Sequence, residues 1–197
     1  EMLRSLVGSE MCIRDRYCGL VKYINNEEHY ALLMEQIDKV KHTLWIGTAD
    51  LKDLYVKPSS TVVPLLQLLE TKVKQKVAIR LIHAKEPGTN FRADFDKYPL
   101  LWAGMERVLC PRVHFKLLIF DMCSVYIGSA NMTGAAFGMK GERNRNFEAG
   151  IFTEIPEVVT NAVKQFDEVW MGKYCKGCGR KRFCGCLLYT SPSPRDS

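Results

Sequence analysis

Nothing in the 197 residues spans a bilayer as a helix, because no apolar run approaches the eighteen or so residues that a transmembrane helix needs. Internal repeats and low-complexity tracts are absent between residues 17 and 185, which excludes a repeat array. The chain also lacks the compositional extremes of disordered or fibrous proteins: hydrophobic residues make up 47% and charged residues 25%. At this length one domain is expected, or one domain with a small appendage. What the chain has in excess is positive charge, 28 Lys+Arg against 22 Asp+Glu for a net +6. That surplus favours an anionic partner without choosing among nucleic acid, lipid headgroup and small phosphate.

The two ends read as foreign to the rest. Residues 5–16 back-translate to a DNA whose reverse complement, in another frame, encodes CLLYTSPSPRD, which is the sequence of 186–196. Residues 1–16 and 186–197 are therefore expected to derive from a sequencing adapter and are set aside from fold reasoning. Of the eight cysteines, Cys12 and Cys186 go with them, leaving Cys18, Cys110, Cys123, Cys175, Cys178 and Cys184. Acids and bases balance within both ends, so the net charge belongs to 17–185. That part divides into a body, 17–172, and a basic Cys-rich tail, 173–185. A cytoplasmic location is the default expectation, since the N-terminus carries no information on targeting.

Within the body, Tyr30, Leu33, Met34, Ile37 and Val40 recur at three- and four-residue steps, which predicts an amphipathic helix over 27–40. Short apolar runs at 43–49 and 77–83 predict buried strands. A helix is expected over 61–76, where Pro64 is tolerated only in the first turn. A loop is expected at 85–90 from Pro87 and Gly88, and a helix over 94–108 that Pro99 breaks or delays. The segments 113–120 and 124–129 read as strands joined by a tight turn over 121–123. A surface loop over 134–146, a strand over 147–153 and a helix over 156–170 follow, the last with Pro156 near its first position. Strands alternating with helices imply an α/β domain, its mixed, mostly parallel sheet flanked by helices on both faces. Trp45, Trp102 and Trp170 fall at expected core positions, so no base-stacking platform is inferred.

The chemistry concentrates in one stretch: His114 and Lys116, then Asp121, then Gly128, Ser129 and Asn131. Residues two apart on a strand share a face, so His114 projects with Lys116, and Ser129 with Asn131 from the partner strand. A hairpin gathers the four around one small volume. Histidine serves as nucleophile or general acid near neutral pH, lysine as a fixed positive charge, and Ser and Asn as neutral donors to developing oxyanion charge. The set suits a phosphodiester. Asp121 lies at the turn and is expected to hold the hairpin. Glu148, on the next strand, is placed to bond one imidazole nitrogen and fix its tautomer, while His83 at a strand end reads as structural.

This pattern, H-x-K-x4-D-x6-G-S-x-N, resembles the motif of the phospholipase D superfamily, the HKD phosphodiesterases, with every specified position matched. Six defined residues at fixed spacing arise by chance with a probability on the order of 10⁻⁶. The resemblance extends over most of 17–170. It implies a two-step displacement: one histidine attacks phosphorus, a second protonates the leaving oxygen, and water or an alcohol then releases the phosphoryl group. His114, Lys116, Ser129, Asn131 and Glu148 are the implied catalytic set, with Asp121 and Gly128 structural. No cofactor is implied for catalysis. Members need two motifs and this sequence carries one, so it resembles the single-motif members in which two chains complete one site, implying a homodimer. The other reading is half of a longer two-motif enzyme.

Cys175, Cys178 and Cys184 have metal-ligand spacing, so a structural zinc and plain reduced thiols both stand as readings. A fourth ligand would come from Cys110, Cys123 or Cys18, or lie further on. Lys173, Lys176, Arg180, Lys181 and Arg182, with Arg143 and Arg145, form a basic surface that favours a polyanion. The expectation is a nuclease-like phosphodiesterase on DNA or RNA. The alternatives are a phospholipid hydrolase or phosphatidyl transferase, and a non-catalytic nucleic-acid- or phosphate-binding module.

Overall fold

The segment Thr43–Thr48 (β2) has five of its six residues buried, and a strand so dry on both faces belongs in the middle of a sheet with helices on either side. The computed structural model describes residues 20–184 except 53, 59, 138 and 139. Both adapter-like segments, Cys18 and Cys186 lie outside the described residues. The main sheet has seven strands. Besides β2 these are Val21–Asn25 (β1), Ala78–His83 (β5), Met105–Leu109 (β6), Lys116–Phe120 (β7), Ser124–Gly128 (β8) and Ala149–Thr153 (β9), in the order β1-β9-β8-β7-β2-β5-β6. A two-stranded ribbon, Tyr55–Val56 (β3) with Val63–Pro64 (β4), stands apart.

The expected mixed α/β sheet is present, but its balance differs from the expectation. Only β2 with β5 and β5 with β6 run parallel; the other four neighbouring pairs are antiparallel. The physical reason is connection length. The pair β7 and β8 is joined by a three-residue turn, which returns the chain antiparallel, whereas a parallel pair needs a crossover.

Helices cover both faces. On one side lie Glu28–Lys39 (α1), Leu65–Lys74 (α2), Thr89–Phe95 (α3) and Pro99–Gly104 (α4); on the other lies Pro156–Trp170 (α5). In α1 the buried positions His29, Leu32, Leu33, Gln36 and Ile37 form one stripe. Glu28 in its first turn accepts from Asn25 N at 3.0 Å, and Lys39 closes its last turn, both matching the helix dipole. On the α5 side, Phe166 stacks on Trp45 and Trp170, and Arg80 of β5 lies 4.9 Å from each indole.

Three expectations shift. The helix expected over 94–108 divides. Pro99 starts α4 rather than continuing α3, and Met105–Leu109 becomes the edge strand β6, paired with β5. Pro64 lies outside α2 in extended backbone, because the preceding residues are drawn into the β3–β4 ribbon. Trp102 is 60% exposed, not core.

Candidate active site

The sheet brings the motif residues to the carboxyl ends of β2, β5 and β6, the end at which open α/β sheets offer their binding crevice. Gly47 of β2 pairs with Leu117 of β7, which sets Lys116 level with Thr48, the last residue of β2, and His114 beyond it. Phe115 between them packs over Gly47, where an added Cβ would sit 2.3 Å from the ring. At the opposite end of the sheet the β7–β8 turn carries Asp121 and Met122 at φ 50° and 57°. The Asp121 carboxylate accepts backbone N–H groups of Lys41, His42 and Thr43 at 2.9, 2.7 and 2.8 Å. Asp121 thus ties the turn to the start of β2, remote from His114.

His114 is exposed and Lys116 is buried. The Lys116 ammonium donates to the His114 carbonyl at 2.6 Å and lies 3.4 Å from both ring nitrogens. Burial pulls the Lys116 pKa below the usual lysine value, and the Glu148 charge pulls against it. Ser129 follows the end of β8; its hydroxyl donates to Glu148 Oε2 at 2.5 Å and accepts from Ala149 N at 3.0 Å. The other Glu148 oxygen accepts from Asn146 Nδ2 at 3.0 Å. The expected bond from His114 to Glu148 is therefore replaced: among the described contacts the imidazole meets the lysine, while the carboxylate holds Ser129. Asn131 accepts through Oδ1 from Asp50 N at 3.1 Å and Thr48 Oγ1 at 3.4 Å, which leaves its NH2 as the donating half.

Sequence reading missed the layer beneath Glu148. Asn26, at φ 45°, donates its N–H to the Glu148 carbonyl at 3.0 Å and accepts Glu148 N at its side-chain oxygen at 3.3 Å. The Asn26 carbonyl in turn faces His29 Nδ1 at 2.9 Å. His29 is fully buried, edge-on to Tyr126 and Phe137, and burial holds its pKa below the usual value. The signal available was His29 on the apolar stripe of α1. Gly128 leaves room for Tyr126, whose hydroxyl would lie 2.1 Å from an added Cβ.

The other expected elements lie apart from this cluster. His83 is buried at the end of β5 with Nδ1 2.8 Å from the Lys85 carbonyl. The tail packs at the carboxyl end of β6: Cys184 Sγ contacts the Leu109 carbonyl at 3.5 Å and Arg112 donates to the Tyr174 carbonyl at 3.4 Å. Cys110, Cys175, Cys178 and Cys184 all border one open cleft there. Among the described residues, however, no group of three His, Cys, Asp or Glu is close enough to hold a metal ion. The zinc expectation for Cys175, Cys178 and Cys184 thus has no support. Cys123 is in the β7–β8 turn at the far end of the sheet. In the basic run, Lys173 is engaged by Glu168 at 2.6 Å, while Lys176, Arg180, Lys181 and Arg182 are exposed. Arg145 has a buried guanidinium nitrogen without a hydrogen-bond partner.

Residues 33–170 match a family model described as cardiolipin synthase, phospholipase D-like domain. Among solved structures, the chain is similar to Nuc from Salmonella typhimurium, a phospholipase D family member: 16% identity, TM-score 0.58, over 78% of this chain and 95% of that one. It is also similar to NucT from Helicobacter pylori: 16% identity, TM-score 0.57, over 77% and 97%. A third likeness, to the phosphatidylserine synthase of Haemophilus influenzae, has 13% identity and TM-score 0.53 over 79% of this chain and 39% of that one. No curated protein matches the chain. At these identities the structural likeness speaks for the fold.

Proposed function

We propose, from the premise that this chain belongs to the phospholipase D-like domain family, that it cleaves phosphodiesters by way of a phosphohistidine on His114. The observation that carries the reading is the pairing of an exposed imidazole with a buried ammonium 3.4 Å away, at the sheet end that also carries Ser129, Asn131 and Glu148. An imidazole nitrogen of His114 attacks phosphorus, forming N–P as the P–O bond to the leaving group breaks. A second imidazole gives its proton to the leaving oxygen, then takes one from the water that displaces His114. The second imidazole is read as His114 of a second copy, as the resemblance to single-motif members implies; a second motif in a longer chain is the other source. Lys116 neutralises one non-bridging phosphoryl oxygen; Asn131 and Ser129 donate to the other, Ser129 by turning from Glu148. Glu148 supports Lys116 electrostatically and holds Ser129.

Nucleic acid is the proposed substrate. The exposed Lys176, Arg180, Lys181 and Arg182 of the tail support a polyanion. One observation favours a second reading, phospholipid cleavage or phosphatidyl transfer: the cleft beyond Phe115 is lined by Trp102, Met105, Val108 and Trp170 and would take an acyl chain. The test offers plasmid, single-stranded DNA, RNA and phosphatidylcholine vesicles to the protein in EDTA, with an alkaline denaturing quench during turnover. Nucleic-acid cleavage in EDTA and an acid-labile, base-stable phosphate on His114, absent from His114→Asn, are the expected results. Cleavage of phosphatidylcholine alone selects the second reading. A label on Ser129, or activity that only Mg²⁺ restores, overturns the mechanism, and binding without cleavage leaves a non-catalytic module.

A further inference from the structure

We propose that Cys110, Cys175, Cys178 and Cys184 are the ligands of an iron–sulfur cluster, seated where the tail packs against the edge of the sheet. The site stands whether or not His114 does chemistry. Sequence spacing leaves the partner of the three tail cysteines open. Among the described residues the fold selects Cys110, since Cys123 is at the opposite end of the sheet. The turn after β6 fixes Cys110: its N–H donates to the His83 carbonyl at 2.9 Å and its carbonyl accepts Val113 N at 2.9 Å. Three reverse turns then bring in the tail. Cys175 N donates to the carbonyl of Gly172, itself at φ 70°, at 2.9 Å; Cys178 N donates to the Cys175 carbonyl at 3.2 Å and Cys184 N to the Lys181 carbonyl at 3.0 Å. Cys184 Sγ lies 3.5 Å from the carbonyl of Leu109, the neighbour of Cys110, and Cys184 and Cys175 are near enough for their charges to bear on Cys110. All four thiols are free and line one cleft.

The spread of the thiols decides between one ion and several. A structural zinc draws four sulfurs to about 2.3 Å from a single point. Among the described residues no three thiols come close enough for that. An iron–sulfur core divides its four thiolates over two or four irons, so no iron takes more than two of them and no three need converge. Three cysteines close in sequence with a fourth far off is also a layout of cluster ligands. The surroundings suit the charge. The Cys178 sulfur accepts Arg180 N at 3.4 Å, with Arg112 and Lys181 beside it, so an N–H and two cations face the negative charge that four thiolates bring. Trp102, Met105, Val108 and Trp170 form an apolar wall of the same cleft, the kind of shell that limits solvent access to a metal centre. Cluster binding would clamp the basic tail to the body of the domain.

Anaerobic reconstitution of the full chain with ferrous iron and sulfide, followed by desalting, tests this. The expected product holds iron and acid-labile sulfide in equal amounts, two or four of each per chain, with a visible charge-transfer absorption that dithionite bleaches. Cys110→Ala and Cys175→Ala should each lower bound iron about tenfold or more, while Cys123→Ala should bind as much as wild type. Cys175 is exposed, so its variant keeps a folded body, checked by circular dichroism, even where Cys110→Ala does not fold. A chain carrying Cys12→Ser, Cys18→Ser and Cys186→Ser should retain the cluster. Trypsin should cut the basic tail several-fold more slowly after reconstitution, and at one rate with or without iron in Cys175→Ala. A chain that takes up no iron with sulfide, or that holds one zinc in its place when both metals are offered, overturns the proposal. So does a cluster that survives Cys110→Ala or Cys175→Ala, or one lost with Cys123→Ala or with the triple variant.

Discussion

Asp121→Asn separates a motif residue that holds the fold from those that would do chemistry. The carboxylate accepts three N–H groups, two at Oδ1 and one at Oδ2. Asparagine keeps one oxygen and tolerates the positive φ of 50°, but it turns an NH2 toward the Lys41 N–H and removes the charge. One lost charge-assisted bond, with Lys41 and His42 exposed enough for water to replace part of it, amounts to about 1.5–3 kcal/mol. For a domain of this size that lowers Tm by roughly 3–12 °C. Burial pushes the Asp121 carboxyl up, but the backbone N–H groups of Thr43, Lys41 and His42 outweigh it and hold the pKa below the ordinary value. A depressed folded pKa stabilises above the unfolded value, near pH ~4, and that contribution is lost as pH falls through the folded value. Thermal melts of wild type and Asp121→Asn should therefore differ fully at pH 7 and converge on acidification below about pH 4. Activity per folded molecule should be unchanged. Intact stability with lost activity would refute the structural assignment.

Two further changes probe the site from below. Gly47→Ala places a methyl 2.3 Å from the Phe115 ring and should destabilise by about 1–3 kcal/mol. Because Phe115 joins His114 to Lys116, turnover of the remaining folded protein should drop about tenfold or more, read by active-site titration against rate. Asn26→Ala removes the acceptor for Glu148 N and should lower kcat about 3–10-fold with less change in KM. Asn26→Gly relieves the backbone at φ 45° yet lacks the same acceptor. If it restored full kcat, backbone strain rather than the hold on Glu148 would account for the loss.

By itself the sequence determined the helices α1 and α5, the strands β2 and β5, the β7–β8 hairpin and the family. Each of these is written in local terms: apolar spacing, a proline at a helix start, or six motif residues within eighteen positions. Local terms also misled. Residues 105–109 continue a helical pattern from α4, and only the open edge of β5 makes them a strand, since backbone pairing with a neighbour distant in sequence outweighs weak propensity. The parallel-to-antiparallel balance followed from which strands met, which alternation does not encode. The same limit applied at the site. That His114 and Lys116 stand at one end of the β7–β8 hairpin, with Ser129 and Asn131 following the partner strand at the same end, was legible in the strand pattern. That Glu148 holds Ser129 instead of the imidazole, over a support of Asn26 and His29, depends on β1 docking beside β9, which joins residues 122 apart in the chain. Contacts of that separation are decided by the packed sheet and leave no spacing to read.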